Sequence, residues 1–304
     1  MFWLWRVLIV DFGIQWVAWI LASLLKTDKF YDACGSGTFL IIVIWEGLVW
    51  WPQKSLMQIL QAFAVVIWAL RLGCFLFYRI MATGKDRRFD DIKVSPLKFF
   101  GAWTMQGIWI LVTLLPTLFM LEAEIGPEPG PQNIIGLAIW AFGFVIETVA
   151  DVQKSIFKRD AANEGKFIKS GLWAVSRHPN YVGEILLWLG LWISASSAFI
   201  RWEYFTFFCP VFNYVLIVFI SGVPPLEKSA RKRWGGQPDY QEYVSKTPEM
   251  FLPSLRLCCP CFLRSDEEQI VPEQAVADNA AAREVAGQLV QEARQQGQEN
   301  TAQA

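Results

Sequence analysis

The residues with the most chemistry in them lie at 171–190, GLWAVSRHPNYVGEILLWLG, where the only histidine of the chain, His178, follows Arg177 and precedes Pro179. Proline fits the first turn of a helix and cannot be entered from a helix before it, so the chain arrives as a loop and turns into a helix near Pro179 and Asn180. Arg177, His178 and Asn180 then stand at a helix N-terminus, where free backbone N–H groups and the helix dipole favour a phosphate or carboxylate. Tyr181 and Glu184 are three apart and share a face, with Gly183 allowing a ligand or another helix to come close. The plainer reading is that Arg177 and Tyr181 anchor a helix at a membrane interface while His178 satisfies a carbonyl. The conjunction of all these residues argues against it.

Two further constellations carry charge at helical spacing. Glu147, Asp151, Lys154 and Lys158 are spaced four, three and four, which puts them on one helix face. They read as an intrahelical ladder of salt bridges, or as two lysines offered to a phosphate. The run RLGCFLFYRI places Arg71, Tyr78 and Arg79 on an apolar stretch, followed by Lys85, Asp86, Arg87 and Arg88. An arginine deep in an apolar run needs a partner, for which Glu46 or another inward carboxylate is available.

The elements that must position these residues are membrane helices. Of the 304 residues, 54% are hydrophobic and 18% charged, with 16 Trp, whereas soluble domains hold about 25% charged residues. Apolar windows long enough to cross the hydrocarbon lie near residues 5–25, 37–52, 56–80, 99–121, 132–152, 181–199 and 203–222. The expected fold is therefore all-α: a polytopic bundle of about seven transmembrane helices over residues 1–253. Arg6 is the only cation before the first run, which Asp11 interrupts, and no small-residue cleavage site follows, so we read it as a retained helix. The sixth and seventh spans are joined by Phe199 to Trp202 alone, which implies a tight hairpin.

Lys and Arg concentrate at 82–98, at 154–180 and after the last span, and are absent from EAEIGPEPGPQN, so the first three segments are expected on the cytoplasmic side. The segment PPLEKSARKRWGGQPDYQEYVSKTPEMFLP is amphipathic and basic, suited to the membrane surface or to folding over a nucleotide cleft. Cys258, Cys259 and Cys261 crowd into a juxtamembrane segment, 254–265, where palmitoylation is the functional expectation. They lack the further ligand that zinc needs, and no metal site is expected. Residues 266–304 hold eight Asp/Glu against two Arg and few apolar residues, a disordered acidic tail with no core to contribute. No nucleic-acid-binding module, GxGxxG, Walker loop or HExxH is present.

At SRHPNYVGEILLW the sequence resembles the DUF1295 proteins of the steroid 5α-reductase-like superfamily. The resemblance extends to the R-x-G-x-F-L-x-x-R pattern from Arg71 to Arg79, the Gly-Lys-Asp-Arg-Arg-Phe run at 84–89, the Glu-x-x-x-Asp-x-Gln-Lys run at 147–154, and Pro-Leu-Glu with Tyr243 and Thr247-Pro248 near the end. Together these span about residues 70–253. The resemblance implies a seven-helix endoplasmic-reticulum enzyme that holds NADPH between its C-terminal helices and cytoplasmic loops and reduces a double bond of a lipid or sterol-like substrate. It carries over Arg177, His178, Asn180, Tyr181 and Glu184 as the cofactor segment, joined by Asp151, Lys154 and Arg79. The hydride comes from the cofactor, so the protein owes the substrate an acid or hydrogen-bond donor. Tyr78 and Glu46 are the catalytic candidates, from placement alone. The R-H-P-x-Y-x-G pattern also resembles membrane methyltransferases of the isoprenylcysteine and phospholipid type, in which Glu227, Tyr240 and Tyr243 find counterparts and S-adenosylmethionine replaces NADPH. The Asn180 and Glu184 pair and the Asp151-x-Gln153-Lys154 run favour the reductase. A membrane protein with a vestigial site is the third reading.

Overall fold

The computed structural model describes residues 2–49, 51–83, 89 and 92–250. The Cys-rich segment, the acidic tail and the cluster Lys85, Asp86, Arg87, Arg88 lie outside the described residues. Among those described, every regular element is helical: α1 Phe2–Leu24, α2 Tyr31–Leu48, α3 Leu56–Thr83, α4 Pro96–Leu121, α5 Pro131–Arg159, α6 Pro179–Ala195, α7 Phe208–Val215, α8 Val223–Trp234 and α9 Pro238–Lys246. Proline opens α4, α5, α6 and α9, where its missing N–H costs no helical hydrogen bond.

Six segments are long and apolar enough to cross a membrane: Trp3–Leu24, Leu56–Met81, Pro96–Leu121, Pro131–Arg159, Pro179–Ala198 and Arg201–Trp234. The protein is an integral, multi-pass helical membrane protein. The expected second span is present as α2 but is not among the six. It begins six residues earlier than the apolar window, and Asp32, Gly35, Ser36, Gly37, Thr38 and Glu46 make its 18 residues too polar. The last span is one continuous run built from unlike pieces. A 3-10 segment, Arg201–Phe207, leads into α7, a π-helical turn at Leu216–Ser221 follows, and α8 carries the chain on past the apolar stretch. The hairpin before it is as tight as expected, and Arg201 turns it with a left-handed φ of 56°.

Lipid tails are as apolar as leucine, so helices in a bilayer associate through close packing and interior hydrogen bonds rather than through hydrophobic burial. The α5–α6 pair is closest. A Cβ on Gly143 would lie 2.6 Å from the Gly183 carbonyl oxygen, and one on Gly183 2.6 Å from the Glu147 nitrogen. Gly136 and Gly190 meet the same way two turns along, so the two backbones touch over the length of the contact. At the bundle centre, Trp68 of α3 packs edge-on to Phe39 of α2 at 5.1 Å and to Trp188 of α6 at 4.7 Å.

After the last span, the chain folds over the site rather than running free along the surface. The Trp234 indole donates to the Gly165 carbonyl, Tyr240 and Tyr243 close on the Phe167 ring, and the Tyr243 hydroxyl donates to the Trp173 carbonyl at 2.6 Å.

Candidate functional site

The end of α5, the loop 160–178, the start of α6 and the helices α8 and α9 meet at one end of the bundle. Deepest there lies Arg71 of α3, whose partner is not Glu46. Its Nη1 is 2.6 Å from Glu147 Oε1 and its Nη2 2.5 Å from Asp151 Oδ2. The two carboxylates thus turn across to α3 instead of down their own helix towards Lys154. Trp68 Nε1 donates to Glu147 Oε2 at 3.2 Å, and Asn180 Nδ2 to Asp151 Oδ1 at 3.3 Å. Glu184, three residues into the next turn of α6 from Tyr181, lies within electrostatic reach of Glu147, Asp151 and Arg71. Among the described residues it makes no ion pair, so three carboxyl groups surround one guanidinium.

A second network joins the entry of α6 to the far end of the chain. His178 Nε2 donates to Glu227 Oε1 at 2.8 Å, and Arg177 lies 3.3 Å from Glu227 Oε2 and 3.1 Å from Glu249 Oε1. The backbone N–H groups of Arg177 and His178 do not await an anion. They donate to the carbonyls of Pro248 and Glu249 at 2.9 and 3.2 Å, and the Ser176 hydroxyl donates to the Glu249 carbonyl as well. Residues 247–250 form a strap across the start of α6, buried at its two ends, Thr247 and Met250, each 5% exposed. Within this network Arg177 Nε, His178 Nδ1 and Glu249 Oε2 are buried without a hydrogen-bond partner. Native proteins leave few such atoms unsatisfied. The His178 ring stacks on Tyr181 at 5.8 Å.

Cations gather between the two networks. Lys154 Nζ sits 4.4 Å from the ring centre of Trp173, itself held by its indole N–H on the Ala150 carbonyl at 3.1 Å. Lys154, Lys158 and Arg79 lie within electrostatic reach of one another, with Arg233 of α8 close to Lys158. Arg79 pairs with Asp32 at 3.0 Å, while neither lysine has a carboxylate at ion-pair distance among the described residues. Nearby, burial pushes the Tyr243 phenol up to about 12.

The structure thus brings together Asp151, Lys154, Arg177, His178, Asn180, Tyr181 and Glu184, with Arg79 at the edge. It does not bring Glu46 and Tyr78 together. Glu46 is buried at the other end, where Arg6 Nη2 lies 2.9 Å from it and Glu122 3.7 Å from the same nitrogen. Tyr78 is 57% exposed near the end of α3, its ring under the Arg159 guanidinium at 5.2 Å. Reading by spacing missed Trp68, Glu147 as the partner of Arg71, and Glu249. Glu147 was within reach, since an arginine inside an apolar run requires a carboxylate and Glu147 stands in one. Nothing local marks Glu249.

The family model described as "Protein of unknown function (DUF1295)" matches residues 18–247. The chain belongs to the DUF1295 family. Among curated proteins, this DUF1295 chain is 28% identical over 147 residues to a "Probable O-methyltransferase" of Ustilaginoidea virens, covering 43% of the chain and 50% of that protein. It is 32% identical over 155 residues to a "Probable 7-dehydrocholesterol reductase" of Acanthamoeba polyphaga mimivirus, covering 45% and 32%. It is 23% identical over 140 residues to the "Delta(14)-sterol reductase" of Arabidopsis thaliana, covering 43% and 33%. The match therefore spans half or less of each relative. No solved structure matches the chain.

Proposed function

We propose that this DUF1295 protein is a membrane-embedded reductase that uses NADPH to saturate a carbon–carbon double bond of a lipid or sterol-like substrate. The observation that carries the reading is the gathering of Lys154, Lys158, Arg79 and Arg233, with no carboxylate at ion-pair distance from either lysine among the described residues. Such a surplus of cations in a partly desolvated cleft suits a polyanionic cofactor, because hydrogen bonds between cations and phosphate are the strong ones. It suits S-adenosylmethionine poorly, since that cofactor carries a cationic sulfonium. The bare atoms of Arg177, His178 and Glu249 offer both donors and acceptors, as nucleoside hydroxyls and a base edge require.

NADPH, when bound, supplies the hydride. The residues of the chain supply the rest. Lys154, Lys158 and Arg177 hold the phosphates, and Trp173 and Tyr181 offer ring faces. Asn180 and Asp151 fix polar groups further in. The carbon next to the reduced one needs a proton, and we assign that role to Glu184, which makes no ion pair among the described residues and stands outside the Arg71 pairs with Glu147 and Asp151. We propose that this end of the bundle faces the cytoplasm, following the Lys/Arg bias, in the endoplasmic reticulum membrane that the family resemblance implies. Cysteines introduced at residues 128 and 165 should then label from opposite sides of sealed vesicles.

A second reading rests on the relative named as an O-methyltransferase and on the carboxylates Glu227 and Glu249 around Arg177, which suit a cationic amine. Titration of the detergent-purified protein with each cofactor decides between them. NADPH should bind, more weakly as salt rises, and Lys154→Met should loosen it. Tight binding of S-adenosylmethionine with none of NADPH would make the methyltransferase reading the correct one.

A further inference from the structure

Tyr78 stands apart from the cofactor site, and the helix it faces shows what it does there. The two long faces of α5 keep different company. Gly143, Glu147 and Asp151 lie along the line that meets α6 and α3, and Lys154 and Lys158 continue it. Phe142, Val145, Val149, Val152 and Ile156, alternately three and four apart, make a second line, and every one of them is exposed. Arg159 is the next position on that second line, and it too is exposed. On a helix that crosses a bilayer an exposed apolar line faces hydrocarbon, so Arg159, the last residue of its span, stands where the hydrocarbon gives way to headgroups.

Its guanidinium lies 5.2 Å from the centre of the Tyr78 ring, which is exposed on α3 together with Phe77 and Met81. No carboxylate among the described residues is at ion-pair distance from Arg159, and no carbonyl among them accepts from it. The next residue, Asp160, is engaged elsewhere, accepting from the Ala162 N–H at 2.9 Å and from Asn163 Nδ2 at 3.4 Å. Asn163 Nδ2 also donates to the Phe157 carbonyl at 3.1 Å, so the end of α5 is served without the arginine. A guanidinium laid on a ring is held in place with its forked N–H donors open to an acceptor from outside. The surrounding field gives that acceptor a sign. Lys158 beside Arg159 is within electrostatic reach of Arg79 and Arg233, and it has no carboxylate at ion-pair distance among the described residues. A headgroup without net charge brings these cations as much positive charge as negative. A net negative one is drawn in, as basic pockets between membrane helices draw anionic lipids.

We propose that Arg159 and Tyr78 form the headgroup end of a binding site for an anionic glycerophospholipid of the leaflet at this end of the bundle, its phosphate held in the Arg159 fork and one acyl chain lying along Phe142 to Ile156. Arginine suits this place because its planar fork meets two phosphate oxygens while its face rests on the ring. The lipid is a partner of the bundle surface rather than a substrate. Neither Arg159 nor Tyr78 is among the residues that hold NADPH, so the site stands whether or not that cofactor binds.

The test uses the full-length protein in phosphatidylcholine nanodiscs that carry a trace of phosphatidylserine or of phosphatidylcholine with a diazirine in one acyl chain, the cross-linked peptide being located by mass spectrometry. Phosphatidylserine should label residues 142–159 about 10-fold more efficiently than phosphatidylcholine, the scale of one hydrogen bond to a charged group. Arg159→Gln should level the two lipids. Arg159→Lys should keep only part of the preference, because a point charge lacks the fork. Lys166→Gln removes an exposed charge from the loop beyond α5 and should leave the preference unchanged. Equal labelling by the two lipids in the wild type, a preference that survives Arg159→Gln, or cross-links from this line to a second copy of the chain would overturn the proposal. NADPH binding is measured on the same preparation, and its failure would remove the reductase reading while leaving this one standing.

Discussion

Arg71 Nη1 and Glu147 Oε1 face each other at 2.6 Å between α3 and α5, and the same guanidinium spans a helical turn to reach Asp151. One planar fork thus ties the third span to the fifth beside the candidate site. Arg71→Met leaves two carboxylates buried without their cation, and breaking such a pair from one side costs about 3–5 kcal/mol. The variant should lose most of its thermal resistance in detergent. Arg71→Lys should recover only part, because a point charge cannot serve both partners. A melting curve equal to wild type for Arg71→Met would show that the pairing carries no stability.

The seam between α5 and α6 predicts a contrast between two glycines. At Gly183 a Cβ would sit 2.5 Å from the Gly143 carbonyl, and backbone cannot yield as a side chain does, so Gly183→Ala should destabilise by at least the ~1–3 kcal/mol of overpacking. At Gly101 on α4 a Cβ meets nothing within 4 Å, and alanine there should be neutral or gain up to about 1 kcal/mol of helix propensity. Differential scanning fluorimetry separates the two outcomes.

If the cation cluster holds phosphates, Arg177→Ala should weaken NADPH binding far more than Arg201→Ala. Losing a hydrogen bond to a charged group costs ~1.5–3 kcal/mol, roughly 10- to 150-fold in affinity. Arg201 is an exposed turn residue, and its loss costs little. Fluorescence titration of both variants gives the ratio. Equal affinities would remove Arg177 from the site.

Tyr243 predicts how stability responds to alkali. Burial raises its phenol to about 12, above the ordinary tyrosine value of 10.0. The folded protein therefore prefers the protonated form. That contribution is complete below about pH 10 and disappears as the pH climbs towards 12. Tyr243→Phe should be less stable at neutral pH, having lost the bond to the Trp173 carbonyl, and should fall off less steeply between pH 10 and 12. Parallel slopes for the two proteins would show that Tyr243 does not titrate differently on folding.

The sequence made local features legible and paired features obscure. Apolar runs, and at α6 the proline, locate the starts of α3 to α6 within three residues, because span length and proline geometry are properties of a short window. The same window logic placed α2 too far along the chain, since its first turns are small and polar yet helical. The segment from Arg177 to Glu184 stood out because its types and spacing declare it. The partners of that segment did not. Arg71 meets residues 76 and 80 positions away, and Ser176 meets one 73 away; no periodicity encodes a meeting at that range. The expected anion site at the α6 start also failed to include its competitor, since backbone carbonyls of the strap are invisible as chemistry in a sequence.

The strap also sets an order of assembly. The bonds from Ser176 to Glu249 join residues 73 positions apart, so at a synthesis rate of about 5–20 residues per second roughly 4–15 s pass between the emergence of α6 and that of the segment that covers it. During that interval the amides of Arg177 and His178 are uncapped and the guanidinium of Arg177 lacks Glu249. The pocket around His178 is consequently among the last parts of the molecule to mature, and a nascent chain arrested before Glu249 would reach the membrane with its spans in place and its chemistry unassembled.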